Sequence, residues 1–208
     1  MTCASVKVER VTRIPGIHLA AALAICCLAA PAGAWPAPIY AEIFANARQT
    51  LPGPLRQLLE DMDPLLSEAC RPTSVDEAAA EAIARFSDAG GGLPAAVASM
   101  RDAGCAAAEM NDPDMDALVE TQRSRFPVVF YGWHPAIRDG NLGGYLEARR
   151  TEIDNLASRF RRTSELPNRS EMVELSPEFG MASLAWSHAV TDVANVWLYI
   201  WISVNGSF

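Results

Sequence analysis

His188 and Asp192 stand four residues apart in the last apolar stretch of a 208-residue chain. On a helix that spacing points both side chains the same way. Such a pair can supply two metal ligands, or a carboxylate that orients an imidazole. It also fits a buried His–Asp hydrogen bond that closes a polar seam, and no further histidine stands nearby to extend a metal site. Ser187 adjoins His188 but lies about 100° away round the helix, so it does not complete a nucleophile pair. His134 sits in Tyr131-Gly132-Trp133-His134-Pro135. Aromatics beside a turn line pockets or simply pack. Arg138 and Asp139 are near enough in sequence to share a pocket there.

The frame around these residues reads as helices. Ile39, Ile43, Phe44 and Ala47 share one face of a first helix. Leu55, Leu58, Leu59, Met62, Leu65, Leu66 and Ala69 continue the spacing of three and four, and Pro64 should kink or split that segment. Ser74-Val75-Asp76-Glu77 is a capping box, so a helix should start at Val75. Gly90-Gly91-Gly92 ends it. Pro94 suits the first turn of the next helix, and Asp112-Pro113 restarts the chain for another. Pro127 to Trp133 is apolar and aromatic, a short strand or a buried helix by periodicity. Asp139-Gly140-Asn141 is a turn, and Leu142 to Phe160 a long amphipathic helix. Arg149, Arg150, Glu152, Arg161 and Arg162 are expected on its solvated face. Leu166 to Pro177 reads as a polar loop. Met181 to Val204 is the most apolar helix after the leader, with His188, Thr191, Asp192, Asn195 and Tyr199 as its polar seam. The fold class is all-α, a single-domain bundle of about six to seven helices.

Residues 1–34 read as a signal peptide. Lys7, Arg10 and Arg13 give a basic start, Ile17 to Ala30 is apolar apart from His18, and Ala32-Gly33-Ala34 offers small residues for cleavage. The run is too short for a bilayer span. Cleavage would leave residues 35–208 as one helical domain beginning at Trp35, exported to the periplasm or secreted, with no stable membrane span. The chain carries net charge −8. The leader holds three basic residues and one acidic, so the remainder sits near −10 and repels nucleic acid phosphates. All 14 basic residues after Trp35 are arginine. Two cysteines remain, Cys70 and Cys105, and in an oxidising compartment an even count predicts a disulfide.

The order of elements resembles the zinc-dependent phospholipase C family and the related fungal zinc nucleases. These are exported, all-helical phosphodiester hydrolases with a tri-zinc site. Their mature chain begins with Trp, whose amino group and an early His bind one zinc. Here Trp35 fits that start, and the nuclease-branch spacing of the His falls on Tyr40. In the family a Pro-Asp pair supplies an Asp ligand, whereas here Pro72 is followed by Thr73. The family's central helix resembles His-x-x-x-Asp-Leu-Asn-x-Pro-Leu-His. Cys105-Ala106-Ala107-Ala108-Glu109-Met110-Asn111-Asp112-Pro113-Asp114-Met115 follows its spacing. Asn111 and Pro113 match, while Cys105 and Met115 replace His and Glu109 replaces Asp. His188 and Asp192 echo a later His-x-x-x-Asp/Glu pair.

The resemblance implies a helical scaffold that has lost most of its metal ligands. Only His134 and His188 remain after the leader, and Met is a poor zinc ligand. The leading expectation is an exported protein with a non-catalytic binding or scaffold role and no cofactor. The alternative is a metal-dependent phosphodiester or phospholipid hydrolase with a reduced zinc site built from the Trp35 amino group, Glu109, His134, His188 and Asp192. There a metal would generate hydroxide and polarise the phosphoryl oxygen. A third reading keeps the leader as an anchor and sets the Trp-rich last helix at a lipid surface, against which the acidic balance argues.

Overall fold

The structure is a computed structural model and describes residues 35–88, 92–110, 112–164 and 173–206. The expected leader lies outside them, as do Gly90, Gly91 and residues 166–172 of the polar loop. Helices fill most of the rest. They are α1 (Ala37–Thr50), α2 (Gly53–Asp61), α3 (Asp63–Leu66), α4 (Val75–Ser87), α5 (Leu93–Ala108), α6 (Pro113–Gln122), α7 (Pro135–Arg138), α8 (Leu142–Ser164) and α9 (Pro177–Ser203). No strand occurs among the described residues. The chain is all-α, and seven of these helices exceed two turns, as the periodicity predicts.

Local chemistry sets the boundaries. Ser74 caps α4 by accepting from Glu77 N, and Glu77 closes the box on the Ser74 backbone. Pro64 enters the first turn of α3 and separates it from α2. Asp112 caps α6, and Met115 N donates to it at 3.2 Å. Helix α9 begins four residues earlier than its apolar pattern suggests. Ser176 accepts from Phe179 N at 3.1 Å, and Pro177 opens the first turn.

Helix α9 is buried nearly all round and packs against α1, α4, α5, α6, α7 and α8. It comes close to α5 at Gly104. A Cβ there would lie 2.9 Å from Trp197 Nε1 and 3.1 Å from Phe44, so only glycine lets the indole seat flush. Trp197 Nε1 then donates to Met100 O at 2.8 Å. No helix of the described residues is long and apolar enough to cross a membrane.

Residues Pro127 to His134 form neither strand nor helix. They run extended along α9, and α9 side chains bind their backbone in place of a neighbouring strand. Val129 N donates to Ser187 Oγ, Tyr131 N to Thr191 Oγ1 and His134 N to Asn195 Oδ1, at 3.2, 3.2 and 2.9 Å. Ser187 Oγ donates back to Pro127 O, and Asn195 Nδ2 to Gly132 O. Ser187 is therefore part of the polar seam, though the sequence sets it aside.

Segment 65–71 is fastened to α5 by charge and by a covalent bridge. Cys70 and Cys105 form the expected disulfide. Beside it, buried Asp102 accepts from Arg71 Nε at 2.6 Å, Arg71 N at 3.1 Å and Arg101 Nη2 at 2.8 Å. Arg101 also reaches Leu65 O and Glu68. Nothing in the sequence pattern indicates this network.

Candidate functional site

A cavity of about 420 Å³ opens between the start of α4, the end of α5 and one face of α8. Two candidate residues from the sequence, Glu109 and Asp192, line it. Its floor is a buried cluster of Asp192, Arg149 and Tyr145. Asp192 Oδ1 accepts from Arg149 Nε at 2.6 Å and from the Tyr145 hydroxyl, while Oδ2 accepts from Arg149 Nη2 at 2.7 Å. Arg149 also pairs with the exposed Glu152.

Arg149 is thus buried, where the sequence places it on the solvated face of α8. Its position explains why. It lies four residues after Tyr145 and four before Ile153, within the apolar stripe of the helix. The expected His188–Asp192 hydrogen bond does not form, because both Asp192 oxygens are turned to α8. Burial pushes the Asp192 carboxyl up, and the Arg149 guanidinium pulls it back. The bidentate geometry is that of an ionised pair. Burial first, and the Asp192 charge second, hold the Tyr145 phenol well above its usual value, so it stays a donor.

The remaining candidates surround this cluster without joining it. His188 stacks on Tyr131, with ring centroids 4.6 Å apart. Burial, and then the Arg149 charge, lower its pKa to about 4, so it is a neutral imidazole at neutral pH. His134 caps α7, its Nδ1 accepting from Ala136 N at 3.2 Å, and its ring lies 5.2 Å from that of Tyr145. Glu109 is half-buried, raised by desolvation, and has no hydrogen-bond or ion-pair partner among the described residues. Trp35 is buried between Tyr40 and Trp186, at centroid distances of 6.2 and 6.4 Å.

The donor chemistry does not fit a tri-zinc centre. Cys105 is held in a disulfide, Met115 lies in the apolar core, and both Asp192 oxygens are engaged by α8. Among the described residues no three His, Cys, Asp or Glu side chains converge to hold a metal ion. The cavity offers recognition groups of another kind. Arg150 has no ion pair among the described residues, and the carboxylates of Asp76, Glu109 and Asp154 stand round an apolar wall that includes Ile153.

No protein-family model, no curated protein and no solved structure matches this chain.

Proposed function

We propose that this is an exported helical protein with a non-catalytic role in binding, built on a scaffold like that of the zinc-dependent phospholipases C. Its ligand site is the cavity over Asp192. The observation that carries this reading is the engagement of both Asp192 oxygens by Arg149 and Tyr145 at the floor of an open cavity. A carboxylate so held is a rigid wall, not a base or a metal ligand. The Arg150 guanidinium and several carboxylates over an apolar surface suit a small ligand carrying both charge signs. The acidic balance of the domain draws the cationic end of such a molecule toward it.

The test is a thermal-shift and calorimetric screen of amino acids and other small zwitterions against the exported protein. Saturable stabilisation that is lost in Arg150→Ala and Glu109→Gln supports the cavity as the site. A second reading, the reduced-site hydrolase, draws on Glu109, which lines the cavity and has no hydrogen-bond or ion-pair partner among the described residues. Metal content of protein purified without chelator separates the two. One equivalent of zinc that is lost in Glu109→Gln, with hydrolysis of a phosphodiester probe, would replace the binding reading.

A further inference from the structure

Tyr199 ends the polar seam of α9 but takes no part in the Asp192 cluster. It lines a second cavity of about 260 Å³ instead, between α4 and the first turns of α8. Ala80 and Ile83 of α4 face Leu142, Gly143 and Leu146 of α8 there, and Asp76 supplies the charge. Asp76 and Leu146 also line the cavity over Asp192, so the two spaces share a border.

The helices set the two spaces in one line. Both α4 and α8 pack against α9. Passing from the first space to the second, α4 leads forward from Asp76 to Ile83, seven residues on. Helix α8 leads backward from Arg150 to Leu142, eight residues, and α9 leads forward from Asp192 to Tyr199, seven. At 1.5 Å per residue each course spans about 10–12 Å. The lining positions recur at spacings of three and four, so each helix turns one face to the groove. That face changes character along its length. The first space holds Arg150 with Asp76, Glu109 and Asp154, while the second is walled by aliphatic side chains and the Tyr199 ring. A charged head alone would fill the first space and leave the apolar wall of the second to water. We propose that the ligand of this cavity carries an unbranched apolar chain on its zwitterionic head, and that the chain lies along the groove to Tyr199. That span accepts a chain of about eight carbons. This deepens the binding reading above and rests on it.

The probes are straight-chain 2-amino acids of increasing length, from 2-aminobutyrate through 2-aminohexanoate and 2-aminodecanoate to 2-aminododecanoate. Each is titrated by calorimetry into the exported protein, below the concentration at which it aggregates. Affinity should rise about two- to fourfold with each added methylene. The rise should stop near 2-aminodecanoate, whose side chain fills the groove. Gly143 stands exposed in the first turn of α8, and a Cβ there meets nothing nearer than Asn141 Oδ1 at 4.0 Å. Gly143→Leu therefore fills the second space without straining the fold, and Ala80→Leu does so from α4. Both variants should bind 2-aminobutyrate as the parent protein does and gain nothing from a longer chain. Short zwitterions that bind, with no gain from longer chains in the parent protein, would overturn the chain and leave the binding reading standing. A gain that survives in both variants places the chain elsewhere and overturns the proposal too. If no zwitterion of any length binds, the binding reading itself fails and takes this inference with it.

Discussion

Two of the buried carboxylates held by arginines, Asp102 and Asp192, face different surroundings. Asp102 binds Arg71 and Arg101 beside the Cys70–Cys105 bridge, and its partners reach from there to Leu65 O and Glu68. Asp192 binds Arg149 and Tyr145 and forms the floor of a cavity. The same pairing therefore does two jobs. At Asp102 it fastens a loop segment that a covalent link already restrains. At Asp192 it stands without such a link and keeps a concave surface in shape. A buried ion pair is weak grounds for assigning function, and what lies beside it decides.

Breaking the unlinked centre should cost most. Arg149→Met leaves Asp192 buried without its cation, and urea unfolding should show a loss of about 3–5 kcal/mol. Adding Asp192→Leu should recover much of that stability, yet the cavity's response to small zwitterions should not return. If it does, the Asp192 cluster plays no part in binding. Removing the bridge with Cys70→Ala and Cys105→Ala should cost about 2–4 kcal/mol. Hydrogen exchange should then rise across residues 65–71 and stay unchanged at Tyr145 and Arg149. Asp102→Asn keeps the shape and an acceptor but removes the charge that faces half-exposed Arg71 and buried Arg101, and Arg101 retains Glu68, so about 1–2 kcal/mol is expected, with ligand response intact.

The smallest effect concerns pH. His188 holds its proton only below about 4 in the folded chain, against 6.5 when exposed. Between those values the unfolded chain binds the extra proton, so stability falls as pH drops through that window and the cost is complete below it. Arg149 and Glu152 are the charged groups that act on it, and Tyr131 covers its ring. Discounted for solvent screening, the cost is about 1 kcal/mol. His188→Gln should reduce the fall in urea midpoint between pH 7 and pH 4.5. An identical fall in both proteins would show that the imidazole titrates as if in water.

Local signals in the chain were readable where a short-range rule applies. The Ser74–Glu77 box, the break at Pro64 and the Cys70–Cys105 pair each depend on residue type and spacing, and each stands as expected. Arg149 was readable in principle, since its helical position argues for burial while its charge argues for solvent. Position wins because Asp192 waits on the facing helix. Ser187 was set aside by its angle from His188, whereas its true partner is a backbone segment. Asp102 had no readable signal, because Arg71 stands 31 residues away and no periodicity links them. The extended segment 127–134 defeated periodicity for a related reason. It pairs with side chains of a helix, and no strand pattern describes that arrangement.

That pairing behaves like a vernier. Four residues of a helix rise about 6.0 Å, and two residues of extended chain about 6.6 Å. Ser187 and Thr191 therefore meet Val129 and Tyr131 nearly in step, but the scales drift with every rung. At the third rung the chain inserts one extra residue between Tyr131 and His134, and Gly132 takes φ of +93° to absorb it. The drift sets a natural length for such a splint. It can run for a few rungs and must then turn away, and here it turns into α7, whose capping residue His134 has its ring 5.2 Å from that of Tyr145.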